Sequence, residues 1–321
     1  MNRRQIIPPE LRYTFQQFDK DFPTDDACLE QIKEQRFPGG VTVCYKCEKP
    51  RKHYRVKGRT AYACETCGNH IYPLAGTIFE KSSTKLRIWF HATYLMGSTR
   101  CGISAKQIQR ETGVTYKCAW RIFTQIRKLM SDDDVLLGGG NSGGVEVDEA
   151  YFGGRRKNDS GRMLAGNKNR NTRVLAVVER KGSIVAKVKQ ELTMGAANNL
   201  VREFVLPKST IFTDEAVIYD AYEKLKGMGY THRRINHSQK VYVTGDVHTN
   251  TIDGFWSLVK RGIGGVYHSV SAKYLQGYLD EYAFRYNRRR SGNLIFPALL
   301  QRVSEMASRK PVSEAPKTET L

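Results

Sequence analysis

Two Cys-x-x-Cys pairs constrain this chain more tightly than any other feature. Cys44-Tyr-Lys-Cys47 is followed, after sixteen residues, by Cys64-Glu-Thr-Cys67. A two-residue gap lets both thiolates of one turn face the same point, and two such turns supply the four tetrahedral ligands that Zn²⁺ takes in structural sites. Tyr54, Val56 and Tyr62 between the pairs are residue types that favour short strands, so a zinc ribbon with one structural Zn²⁺ is expected over residues 37–80. Four thiolates leave no open coordination position, which makes the ion a staple for the fold and not a catalyst. The other three of the seven cysteines, Cys28, Cys101 and Cys118, stand apart. In a reducing compartment metal binding explains such close pairs better than disulfides do.

Charge narrows the choice of partner. The 321 residues carry 52 Lys and Arg against 32 Asp and Glu, a net charge of +20, spread along the whole length. So large an excess stores self-repulsion, and a polyanion such as nucleic acid relieves it; the alternative is simply a solvated basic surface. No run approaches the roughly 18 apolar residues that span a bilayer, and residues 1–9 lack the apolar core of a signal peptide. A cytoplasmic, nucleoid-associated protein with no membrane partner is therefore expected. The length allows two or three compact units.

Residues 1–36 read as a helical lead-in. Residues 81–137 read as helical too, with Ser104 as an N-cap and Ile103, Ile108 and Val114 as the small core of a helix-turn-helix. Its second helix, 115–130, has Ala119, Ile122, Phe123, Ile126 and Leu129 at helical spacing. That leaves Tyr116, Lys117, Arg121, Gln125 and Lys128 facing outward, where they could enter a major groove or merely coat a helical hairpin. Residues 138–144, Gly-Gly-Gly-Asn-Ser-Gly-Gly, have the composition of a linker.

Beyond it, over 145–291, strands are expected at 145–152, 173–179, 183–190 and 210–213, with helices near 196–205 and 216–227 between and after them. Two acids sit at strand ends in this scheme: Asp148 in Val145-Glu-Val-Asp-Glu-Ala-Tyr-Phe-Gly-Gly154, and Asp214 closing Ser209-Thr-Ile-Phe-Thr-Asp214. Each interrupts an apolar strand, so each needs a partner or a metal. Glu149 and Glu215 adjoin them, and pattern alone leaves the choice within each pair open. A third acid, Asp253, lies in His248-Thr-Asn-Thr-Ile-Asp-Gly-Phe-Trp-Ser-Leu-Val-Lys-Arg261, which reads as a helix; Lys260, seven residues on, shares its face.

Taken together, these motifs closely resemble the zinc-ribbon DDE transposases of bacterial insertion sequences, from about Phe18 to Asn287. The resemblance implies an α/β chain: an RNase H-like catalytic core preceded by the ribbon and the helix-turn-helix. It also implies two Mg²⁺ (or Mn²⁺) ions per active site, held by Asp148, Asp214 and Asp253 with Lys260 beside them, and transposition of a DNA element. The departure is at Asp253, where the family often has Glu and a shorter carboxylate reaches one methylene less. Double-stranded DNA, as terminal repeats and target, is the implied partner, and a homo-oligomer on DNA is expected because two element ends must be joined. Further DNA contacts are expected from Arg155, Arg156 and Lys157 in a basic glycine-rich loop, from His248, Asn250 and Arg261, and from Arg288 and Arg289 at the end of a helix starting near Ser271. Residues 292–321 read as a C-terminal segment with an unstructured tail from about Lys310. Two rivals remain: a transposase-derived DNA-binding protein, and a zinc-ribbon transcription regulator, each without nuclease activity.

Overall fold

The computed structural model describes residues 8, 12–99, 101–131, 134–140, 143–153, 172–220, 229–234, 249–291 and 294–309. The chain forms two compact units, Met1–Leu129 with Ser291–Leu321, and Met130–Arg290.

The first unit opens with α1 (Phe15–Asp21) and α2 (Asp25–Arg36), whose first turns are closed by Thr14 and Thr24; Thr14 and Gln17 make a reciprocal capping box. A four-stranded antiparallel sheet follows in the order of the chain: β1 (Val41–Val43), β2 (Pro50–Arg55), β3 (Tyr62–Cys64) and β4 (His70–Ile71). Then come α3 (Leu86–Ser98), α4 (Ala105–Thr112) and α5 (Tyr116–Leu129). Ser104 caps α4 by accepting from the Gln107 amide at 3.2 Å, and α4 stops at Gly113, whose φ of 71° is left-handed. Only three residues separate α4 from α5.

The C-terminal segment 292–321, whose sequence predicts only an unstructured tail from about Lys310, carries a helix before that point. Residues Ile295–Arg309 form a helix that buries Phe296, Leu299, Leu300, Val303 and Ala307. This is a helical repeat that binds the end of the chain to the first unit. Phe296 meets the rings of Phe18, Phe22, Phe90 and Tyr94. The approach is so close that a Cβ on Gly97 would lie 2.9 Å from the Phe296 amide nitrogen. The tail beyond Arg309 lies outside the described residues.

The second unit is built on β5 (Leu137–Gly138), β6 (Val145–Phe152), β7 (Thr172–Glu179), β8 (Ile184–Lys189), α6 (Met194–Phe204), β9 (Val205–Leu206), β10 (Thr210–Thr213), β11 (Thr231–Arg234), α7 (Asn250–Gly262) and α8 (Ala272–Asn287). Its main sheet has the order β11-β10-β6-β7-β8; β6, β7 and β8 form an antiparallel meander, and β10 runs parallel to both β6 and β11. Both faces are covered. Val145, Val147, Leu175 and Val177 pack with Leu200, Val201 and Phe204 of α6, while Ala150, Phe152, Val174 and Ala176 pack with Ile252, Phe255 and Val259 of α7 and Leu275 and Leu279 of α8. This is why β7 is almost wholly apolar.

Two details differ from expectation. Leu137 and Gly138 pair in parallel with Val205 and Leu206, and the Gly139 amide donates to Ser209 Oγ at 2.8 Å, so the start of the glycine stretch 138–144 is built into the second unit. Its residues 141 and 142 lie outside the described residues. Of the helix expected over 216–227, residues 217–220 form a short 3₁₀ turn, and 221–228 lie outside the described residues.

Candidate functional site

In the first unit the four thiols converge. Their sulfur atoms all lie within 4.8 Å of one another, with Cys44 Sγ 3.5 Å from Cys67 Sγ and Cys47 Sγ 4.0 Å from Cys64 Sγ. Tetrahedral coordination at a Zn–S distance of about 2.3 Å demands a sulfur separation near 3.8 Å, so the site fits Zn²⁺. Although burial opposes it, the Cys44 thiol is drawn down to about 6 by the amides of Cys47 and Lys46 and by the thiols of Cys67 and Cys64, while contacts among the same sulfurs push the Cys47 thiol up, so without a metal the four share their charge unequally.

In the second unit strand alternation decides between neighbouring acids. Val145 and Val147 point to the α6 side, so Glu146, Asp148, Ala150 and Phe152 point to the α7 side. Asp148 therefore faces α7, whereas Glu149 faces away and accepts from Tyr219 Oη at 2.5 Å. Asp148 lies mid-strand opposite Ala176, not at the strand end that its sequence context suggests, because β6 continues to Phe152. The indole of Trp256 on α7 donates to Asp148 Oδ2 at 2.9 Å. The Asp148 carboxyl is pushed up to about 7, first by burial and then by the Glu149 charge, with Asp214 adding to the rise and the Trp256 bond opposing it.

Asp214 follows directly on β10, beside β6, and its Oδ1 accepts from the Ala216 amide at 3.0 Å. Glu215 is exposed. The charge of Asp214 raises both Asp148 and Glu149, so these carboxylates sense one another. Asp253 sits in the first turn of α7, exposed, three residues before Trp256, and Lys260 is exposed in the last turn. Among the described residues the four cysteines form the one group of three or more candidate ligands within 4.8 Å, so the three acids do not close to that spacing.

A fourth acid went unread in the sequence. Glu146, with no exposed surface, accepts from the amides of Thr251 (2.9 Å) and Ile252 (3.0 Å), from Thr251 Oγ1 (2.9 Å) and from Arg180 Nε (2.9 Å). Thr249, which precedes α7, makes no capping bond with its own side chain. Glu146 thus caps α7 from across the sheet and binds the helix bearing Asp253 to the strand bearing Asp148. The signal was present: an acid between two buried valines, two residues from Asp148.

The other expected contacts divide. On α5, Ala119, Ile122, Phe123, Ile126 and Leu129 are buried while Lys117, Arg121 and Lys128 are exposed and Gln125 is half-buried. Asn250 and Arg261 are exposed on α7. Arg288 stacks on Phe284 at 3.8 Å; Arg289 stacks on Tyr286 and donates to the carbonyls of Gly182 and Tyr286, so both arginines also serve the fold. Arg155, Arg156, Lys157 and His248 lie outside the described residues.

Residues 141–287 match the ISXO2-like transposase domain, and residues 23–70 match the transposase zinc-ribbon domain. These stretches contain the sheet with its acids and all four cysteines. The chain belongs to the zinc-ribbon transposases of insertion sequences. A relative from Halobacterium salinarum, described as an uncharacterized protein in transposable element ISH50, is 28% identical over 285 residues, spanning 83% of this chain and 92% of that protein. Membership implies DNA as the partner. No described helix of this transposase is long and apolar enough to cross a membrane.

Proposed function

We propose that this transposase cuts and joins DNA strands at an active site formed by Asp148, Asp214 and Asp253. The observation that carries the reading is the placement of Asp148 on β6, facing α7, next to the strand β10 that Asp214 follows, in a sheet of mixed strand order that suits an RNase H-like core; the raised Asp148 carboxyl agrees with it. Asp148 and Asp214, the charge of the second disfavouring that of the first, suit hard divalent cations, with Mg²⁺ or Mn²⁺ fitting an all-oxygen donor set. Two such ions, when bound, supply an activated water and neutralise the charge on a leaving 3′ oxygen.

The protein's own part is positioning. Trp256 fixes one Asp148 oxygen and leaves the other for the ion, the Ala216 amide does the same for Asp214, and Glu146 sets the height of α7 and hence of Asp253. In the first step the oxygen of water forms a bond to phosphorus as the bond to the 3′ oxygen of the element end breaks. The freed 3′-hydroxyl then attacks target DNA in line, displacing the next 3′ oxygen, so no covalent enzyme intermediate is needed. Lys260, Asn250 and Arg261 hold phosphates near the acids. The exposed side of α5, with Lys117, Arg121, Gln125 and Lys128, acts as the recognition surface of a helix-turn-helix, and two copies act together on paired ends.

The test is cleavage of DNA carrying the element's terminal repeats, with and without Mg²⁺. Metal-dependent nicking at the element end is expected. Because the three acids do not close within 4.8 Å, footprinting without nicking would favour a transposase-derived DNA-binding protein instead.

A further inference from the structure

The ribbon sheet has one covered and one open face. Register places His53 opposite Cys64 and Arg55 opposite Tyr62 on the covered face, where Tyr62 Oη donates to Glu30 and Arg55 pairs with Asp26, both on α2. The other face carries Val41 opposite Lys52, Tyr54 opposite Ala63, and Ala63 opposite His70. Nothing on it is buried. Val43 is 62% exposed, Tyr54 59% and Tyr72 54%, and the Tyr72 ring meets that of His70 edge-on at 6.3 Å.

Two large aromatic rings and a pair of valines held in water on a rigid sheet mark a binding surface. Its charge identifies the occupant. Residues 41–72 hold seven Lys and Arg against two Glu; Arg51 and Arg55 share the covered face with Asp26 and Glu30, while Lys52 stands on the open face and exposed Lys46, Lys49, Lys57 and Arg59 lie in the turns around the sheet. A polyanion with apolar, stackable groups fits both features. Tyr54 and Tyr72 are two strands apart, on the order of 10 Å by the usual strand spacing, which suits bases of one strand a few nucleotides apart. Paired bases keep their faces inside the duplex, so only an unpaired strand can stack on these rings.

We infer that the open face of the zinc ribbon binds single-stranded DNA, with bases stacked on Tyr54 and Tyr72 and phosphates held by Lys52 and its basic neighbours. The inference rests on the reading that the chain acts on DNA, and is independent of cleavage.

The experiment uses the full-length, zinc-loaded protein without magnesium and follows fluorescence anisotropy of an oligothymidine of about twelve nucleotides. Tyr54→Ala and Tyr72→Ala are each expected to weaken binding by roughly ten-fold or more. Tyr54→Phe, which keeps the ring, should bind as the parent does, and Lys52→Gln should lower the salt slope by about 0.7. Zinc content reports the fold of each variant, and Tyr72, outside the strands and the ligand set, gives a readout even if changes in β2 disturb the sheet. Unchanged binding in Tyr72→Ala, or a Phe variant as weak as the Ala variant, would overturn the assignment. A protein that gripped the oligonucleotide this way yet never cut DNA would contradict the proposed function and leave this face assigned.

Discussion

The ribbon thiols and the carboxylates of the second unit represent opposite ways of gathering ligands. Four cysteines within 24 residues meet because two tight turns present them, and their sulfur atoms already stand at metal spacing. The acids at 148, 214 and 253 come from a strand, a strand end and a helix, and their relative positions depend on packing and on one long-range clamp. Local geometry builds a closed site for a soft metal. The proposed acid site, assembled by tertiary structure, stays open, as a substrate that has to enter requires.

The same contrast recurs on a single strand. Glu146 and Asp148 share a face of β6, two residues apart. One accepts from four donors and has no exposed surface; the other accepts from the Trp256 indole and the Glu149 backbone and is raised to about 7 by its burial. A saturated carboxylate is held fixed, and an under-satisfied one is available for chemistry.

Substitutions can break this comparison. The largest effect is expected from Asp148→Asn or Asp214→Asn, each lowering strand cleavage by about a thousand-fold or more while binding of element ends, read by mobility shift, stays near the parent's. Loss of binding in parallel with cleavage would make these acids structural. Glu146→Ala should cost about 3 to 5 kcal/mol in denaturant unfolding, because it removes the buried ion pair with Arg180 and uncaps α7. Asp148→Ala, lacking such partners, should cost far less.

Trp256→Phe keeps most of the packing and removes the indole donor, and should cost about 1 kcal/mol while raising the Asp148 carboxyl further. In metal-free protein the Asp148 carboxyl also gives a pH signature. The folded value of about 7 exceeds the ordinary 3.8, so the folded state binds the extra proton and stability from this group falls as pH rises from about 4 to about 7. Asp148→Asn should flatten that decline in thermal melts. The smallest effect is at Ser104→Ala, about 1 kcal/mol for the lost cap on α4, with cleavage chemistry unchanged in single-turnover assays.

Much of this was legible in the residues. The strands 145–152 and 210–213 agree with β6 and β10 because their apolar runs are bounded by glycines and acids. The apolar stripe of α5 is buried as its spacing demands. By contrast β11, Thr-His-Arg-Arg, has no apolar pattern, since it is an edge strand whose place comes from pairing with β10. The C-terminal helix was readable from Phe296, Leu299, Leu300 and Val303, yet what it packs against lies some 170 to 280 residues earlier in the chain, among α1, α2, α3 and α5. Glu146 was obscure for a related reason: its partners begin 34 residues away at Arg180 and continue 105 residues away at Thr251. Short-range pattern shows which acid lies on which strand, and only the packed sheet shows which one caps a helix.

The most direct measurement is a crystal structure with Mn²⁺ and a DNA end, the ion located by its anomalous signal. Oxygens of Asp148, Asp214 and Asp253 around that signal, with the scissile phosphate beside it, are the expected result. An ion bound elsewhere, or α7 clamped by Glu146 with Asp253 turned away from the metal, would contradict the shared site.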